Sequence, residues 1–211
     1  MNMQKLLVTL LLSFLCISSF AQKVFSEGII KYDVFVNGSD KPDGLYIVTV
    51  KNGYTKRELA MNSGYNNVII FNFKTGKTIS LNVDAQNKYA LEMSTEEVLL
   101  KNKNFEKAVF VPGTTKKQLA GHSSTNSAVT YSNGEKATFY YTTDLLPPND
   151  AFNTMFPGLK GIPLEYEIKS AKAMMIRFVA SLLETKSIDI KVFDIPKDYK
   201  IVTKKELEGI R

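Results

Sequence analysis

The chain has 211 residues, with 27 Lys and Arg against 21 Asp and Glu, one His, one Cys and no Trp. A single imidazole excludes a multi-histidine zinc centre, and a single thiol excludes a disulfide framework. The basic residues are scattered through short segments such as TKKQ, TKKE and KNKNFEK, the pattern of a solvated surface and not of a nucleic-acid-binding stripe, although a weak preference for anionic lipid surfaces stays open.

Residues 1–21, MNMQKLLVTLLLSFLCISSFA, carry Lys5, then an apolar run from Leu6 to Leu15, then Ser18 and Ser19 before Ala21. This is the layout of a secretory signal peptide cut after Ala21. A membrane anchor needs roughly 18 or more unbroken apolar residues, and Ser13, Ser18 and Ser19 interrupt this run. Cys16 is preceded by bulky Phe14 and Leu15, which fits lipid attachment badly. The expected product is therefore an unlipidated, thiol-free protein, secreted or periplasmic. Without Lys5 it keeps 26 basic against 21 acidic residues, a net charge of +5.

From Gly28 the apolar period is two, the mark of strands with one buried face. GIIKYDVFV puts Ile30, Tyr32, Val34 and Val36 on one side and Lys31 and Asp33 on the other. GLYIVTVKNGYTKRELAM predicts a hairpin turning at Asn52–Gly53. Strands over Val68–Phe73 and Lys77–Val83 follow, joined through KTGK, and QNKYALEM adds another, so the first half reads as an antiparallel meander. Ser94 with Glu97 three residues later has capping-box spacing and predicts one short helix. FEKAVFVPGTTKK returns to extended chain, with a turn expected at Pro112–Gly113.

Asn133–Gly134 predicts a second tight hairpin, between strands holding Val129, Tyr131 and Phe139 to Tyr141. In PPNDAFNTMFPG the proline pair forbids a strand, and Asn149 or Asp150 is placed to cap a helical turn through Met155. Gly158 and Gly161 are expected to supply backbone angles closed to other residues, with Pro157 and Pro163 stiffening the chain on either side. PLEYEIKS, AMMIRFVASLLETKS and IDIKVFDIP read as strands. The middle one also fits a helix, although alternating Met174, Ile176, Phe178, Ala180 and Leu182 favours a strand. The end, IPKDYKIVTKKELEGI, reads as an extended piece followed by a helical turn.

The sum is roughly ten mostly hairpin-connected strands with two or three short helical pieces. Residues 22–211 read as one β-rich domain, mainly β with short α, which must close as a barrel, a sandwich or a sheet covered by helices. Any helices act as a lid or plug.

Candidate chemistry is sparse. His122 beside Ser123 and Ser124 cannot form a triad locally, no Gly-x-Ser-x-Gly elbow is present, and His122 reads as a turn or surface residue. Glu165 and Glu167 alternate with Leu164, Tyr166 and Ile168, which directs both carboxylates to solvent. No catalytic residue, metal or cofactor is expected, and the reading is of a protein that is not an enzyme. Arg57 shares its alternation with Leu59 and Met61, and an inward Arg is costly unless it is paired or bonded to carbonyls. Phe71, Phe73, Tyr89, Leu91, Met93, Phe139, Tyr141, Met174 and Phe178 make faces that either pack a core or line a hydrophobic cavity.

LAG at Leu119–Gly121, ATFYYTTDL at Ala137–Leu145 and FPGLKGIPLEYEI at Phe156–Ile168 resemble the secreted bacterial GLPGLI family and its neighbours. Gly158, Leu159, Gly161, Leu164 and Glu165 match that motif, while Lys160 and Ile162–Pro163 depart from it. YTKRELAM is similar to an early strand of the lipoprotein-carrier fold of LolA and LppX. That resemblance implies an antiparallel half-barrel under a helical lid, in which Arg57 would hold the lid by bonding helix backbone. It also implies a lipid or lipoprotein acyl chain as ligand, held by Arg57, Leu59, Phe71, Phe73, Met93, Phe139, Tyr141 and Phe178. The alternative is a non-enzymatic envelope module with a self-filled core and a protein partner.

Overall fold

The computed structural model describes residues 22–84, 87–170 and 174–208. The expected signal peptide, residues 1–21, lies outside the described residues. In chain order the strands are β1 (Lys23–Val24), β2 (Glu27–Val36), β3 (Gly44–Lys51), β4 (Tyr54–Met61), β5 (Asn66–Asn72), β6 (Lys77–Asp84) and β7 (Asn87–Met93). They continue with β8 (Val109–Leu119), β9 (His122–Thr130), β10 (Lys136–Thr142), β11 (Leu145–Leu146), β12 (Ile162–Lys169), β13 (Met175–Glu184) and β14 (Lys200–Thr203). Helices run over Thr95–Asn102 and Lys204–Glu208. The chain is thus mainly β, and no described helix is long and apolar enough to cross a membrane.

Twelve strands form one open sheet in the order β14-β7-β6-β5-β4-β3-β2-β13-β12-β10-β9-β8, and β1 and β11 pair separately. Neighbours in the large sheet are antiparallel except β14, which runs parallel to β7. Local chemistry explains much of this. Asn52 and Gly53 both take positive φ, 50° and 88°, so the two-residue turn between β3 and β4 matches the twist of its strands. Ser94 and Glu97 form the expected reciprocal capping box.

Met175–Glu184, which pattern alone leaves open between strand and helix, is a strand. Its alternation breaks at a bulge between Ala180 and Leu182, so Leu183, not Leu182, enters the core. The turn expected at Pro112–Gly113 is instead a register shift inside β8, and the chain reverses later, at Ala120–Gly121. IDIKVFDIP is not a strand. Asp189 caps a 3-10 turn over Ile190–Phe193, and the buried residues Ile188 and Phe193 do not share a strand's two-residue period.

The sheet is covered on both faces. The inner face carries the main core, built on Ile30, Tyr32, Val34, Val48, Val50, Leu164, Tyr166 and Phe178 and closed by Phe152, Phe156 and Leu159 from the loop of residues 147–161. Ile70, Ile79, Leu81 and Ala90 face the other way and meet Ile188 and Phe193 of a C-terminal strap. That strap is clamped to the sheet. Glu27 Oε1 accepts from the Ile188 N–H at 2.6 Å and from Lys51 Nζ at 2.8 Å, while Lys51 Nζ also donates to the Ile188 carbonyl.

Candidate functional site

The inner face has two parts with different covers. Over β2, β10, β12 and β13 the cover is the loop of residues 147–161, which forms successive turns and not the expected helical turn. Phe156 lies 4.3 Å from Phe139 and 5.6 Å from Tyr166, ring centre to ring centre, so the loop fills the face with its own aromatic groups. Asn153 Nδ2 ties the loop to itself by donating to the carbonyls of Leu159 and Gly161. Gly158 does need its positive φ of 85°. Gly161 has a different role from the expected one: a Cβ there would stand 2.5 Å from the Thr142 carbonyl oxygen, so its lack of a side chain lets the loop press onto β10.

Three hydroxyl and guanidinium contacts hold this loop or the strand that follows it. Tyr131 OH donates to the Met155 carbonyl at 2.8 Å, Tyr32 OH to the Pro163 carbonyl at 2.8 Å, and Arg57 Nη2 to the Phe152 carbonyl at 2.7 Å. Arg57 therefore points inward as the alternation requires, onto loop backbone and not onto a helix. Burial pushes the Tyr32, Tyr46 and Tyr166 hydroxyls up, and Arg57 pulls each partly back. Burial, with the nearby Glu135, pushes Tyr131 up to about 12. The gap beside Arg57, bounded by Tyr32, Tyr46, Phe152 and Tyr166, is about 40 Å³. That space suits a water molecule or two and not an acyl chain.

The second part lies over β6 and β7. Register carries the inner face outward along two rows, Val50–Thr55–Phe71–Thr78–Met93 and Val48–Arg57–Ile69–Ser80–Leu91–Val202. Here the cover is two short helices. Thr95–Asn102 rests against β6, and Lys204–Glu208 rests against β7 and β14. Between them lies a groove of about 390 Å³ bounded by Leu91, Met93, Leu100, Leu207 and the charged residues Glu97, Lys101, Lys204 and Glu208. Met93 is buried, whereas Leu100 is 62% exposed. The stretch Val98, Leu99 and Leu100 cannot turn wholly inward on an eight-residue helix, so its last residue becomes a wall.

Of the eight residues expected to hold a ligand, only Met93 lines the groove. Phe139 and Phe178 are core residues, Phe178 stacking on Tyr166 at 4.9 Å. Leu59 and Tyr141 are partly buried against the same core. Phe71 and Phe73 form an edge-to-face pair, with Phe73 49% exposed in the turn just after β5. The groove residues missed as ligand contacts are Leu91, Leu100, Lys101, Lys204 and Leu207. Leu91 shares the alternation of Met93, and the apolar run after the capping box was the remaining signal.

His122 is the first residue of β9 and not a turn residue. Its Nδ1 lies 3.0 Å from Asp144 Oδ2 and its Nε2 lies 3.4 Å from the Leu183 carbonyl oxygen. Ser124 is buried, donating to the Lys117 carbonyl. Glu165 pairs with Lys117 and lies 3.7 Å from Arg177. Among the described residues no group of three or more His, Cys, Asp or Glu side chains is arranged to hold a metal ion.

No protein-family model matches the chain, and no curated protein matches it. Solved structures do. A structure of PNGF-II is 14% identical with a TM-score of 0.50, covering 86% of this chain. The chain spans about a third of PNGF-II, 32% of its length. The likeness shows a shared fold. MucB aligns at 13% identity and a TM-score of 0.44 over 87% of this chain and 62% of its own. MucB in the Pseudomonas aeruginosa MucA/MucB complex aligns at 15% identity and 0.42, over 85% and 60%.

Proposed function

We propose that this protein is a secreted or periplasmic, non-enzymatic binding module that holds a hydrophobic ligand, a lipid or acyl chain, in an open half-barrel of the lipoprotein-carrier kind. The observation that carries this reading is the groove between the two helices. Its volume, about 390 Å³, lies within the range of ligand pockets, and its floor and walls are Leu91, Met93, Leu100 and Leu207. The binding place therefore shifts from the centre of the sheet, filled by Phe152 and Phe156, to the inner face of β7. Burial of each methylene there would contribute about 0.8 kcal/mol. Mechanistically this is shielding at equilibrium, with no covalent step.

Titration with the neutral fluorescent probe N-phenyl-1-naphthylamine tests it. Saturable enhancement is expected, lost in Leu100→Asp, whose thermal midpoint should stay near that of the parent because the side chain is exposed. No saturable binding, or equal binding by Leu100→Asp, would rule out the groove as the binding place.

The self-filled centre favours a second reading, an envelope interaction module with a protein partner. Val109 and Val111 on the edge strand β8 are 63% and 61% exposed and are the apolar groups such a partner would cover.

A further inference from the structure

The groove has a polar end as well as an apolar floor. Lys101 bends back over it, bringing Nζ to 3.7 Å from the sulfur of Met93. Lys204 stands on the opposite helix, at the other wall. Neither ammonium group has a carboxylate within ion-pair distance among the described residues. The two acids at the rim differ from one another. Glu97 accepts from the Ser94 backbone N–H at 2.8 Å in the capping box, and this bond, ahead of the two lysines, holds its carboxyl below the usual value. Glu208 is exposed at the end of the shorter helix. A thioether is a poor partner for an ammonium ion, so Lys101 has bonding capacity left where the floor begins.

Resting on the hydrophobic-ligand reading, we propose that the groove selects a single-chain amphiphile with a terminal carboxylate, a free fatty acid, whose chain lies on Leu91 and Met93 and whose head is bound by Lys101 and Lys204. The head would replace the Met93 sulfur as the partner of Lys101 and would share the two lysines with Glu97, which acts on them only through space while one of its oxygens accepts from the Ser94 N–H. Charge at the rim then sets specificity, while the apolar floor contributes affinity for any chain of similar length.

The test compares dodecanoate with dodecanol, the same chain with and without the charge, as displacers of N-phenyl-1-naphthylamine from the protein of residues 22–211. Dodecanoate is expected to displace the probe at about fivefold lower concentration, the scale of two exposed charge pairs. Raised salt should narrow the difference. Lys101→Gln with Lys204→Gln should abolish the difference between the two compounds. Equal displacement by both compounds would overturn the fatty-acid inference and leave the hydrophobic-ligand reading standing. Probe binding that neither chain displaces would do the same. Failure of the probe to bind would overturn both.

Discussion

The two parts of the inner face start from the same kind of strand and end differently. Over β12 and β10 the apolar side chains meet a loop rich in Phe, anchored by Tyr131 and Arg57, and the space left is about 40 Å³. Over β7 they meet two short helices, of eight and five residues, neither with a buried side chain, and a groove of about 390 Å³ remains. An apolar sheet face therefore does not by itself indicate a ligand. What decides is whether the covering segment brings enough large side chains to fill the face.

The largest expected effect belongs to the filled part. Phe156→Ala removes a ring packed against Phe139 and Tyr166 and should cost about 3–5 kcal/mol by urea denaturation. A cost under about 1 kcal/mol would mean that the loop is a removable cover and not part of the core. Next comes Arg57→Leu, which leaves the Phe152 carbonyl without its donor and should cost about 1–3 kcal/mol. Its binding of N-phenyl-1-naphthylamine should be unchanged, since Arg57 does not line the groove. Impaired probe binding in a folded Arg57→Leu variant would show that the two parts are coupled.

The smallest effect concerns the strap on the outer face. The Lys51 ammonium, and then the Ile188 N–H, hold the Glu27 carboxyl below its ordinary value of 4.5. A carboxyl depressed in the folded state adds stability that is complete above about pH 4.5 and lost as pH falls through the lower folded value. Stability should therefore decline below pH 4.5, and Glu27→Gln should lose part of that decline. Identical pH slopes for the two proteins would separate Glu27 from the acid response. Glu97, Asp198 and Glu206 are depressed as well, so the difference between the proteins is the informative quantity.

Several elements could be read from a few neighbouring residues because the forces that form them are local. The Asn52–Gly53 turn, the Ser94–Glu97 capping box and the alternation of Ile30, Tyr32 and Val34 each depend on contacts or angles within one turn or one strand. Arg57 could be directed inward by the same alternation. Its partner could not be named, because Phe152 lies 95 residues further along the chain. Local reading failed where tertiary contact overrode pattern. β8 continues through Pro112–Gly113 by means of a bulge, and IDIKVFDIP gives up its alternation to place Ile188 and Phe193 on the outer face of the sheet.

From the amino acids alone came the mainly β character, most of the strands, the short helix after β7 and the inward side of strands such as β2 and β4, since backbone angles and side-chain period are properties of short segments. Only the tertiary structure decided which apolar faces are filled and which stay open. The groove at Met93 exists because one helix from the middle of the chain and one near its end stop short of each other over β7, a distance between segments that no local pattern encodes.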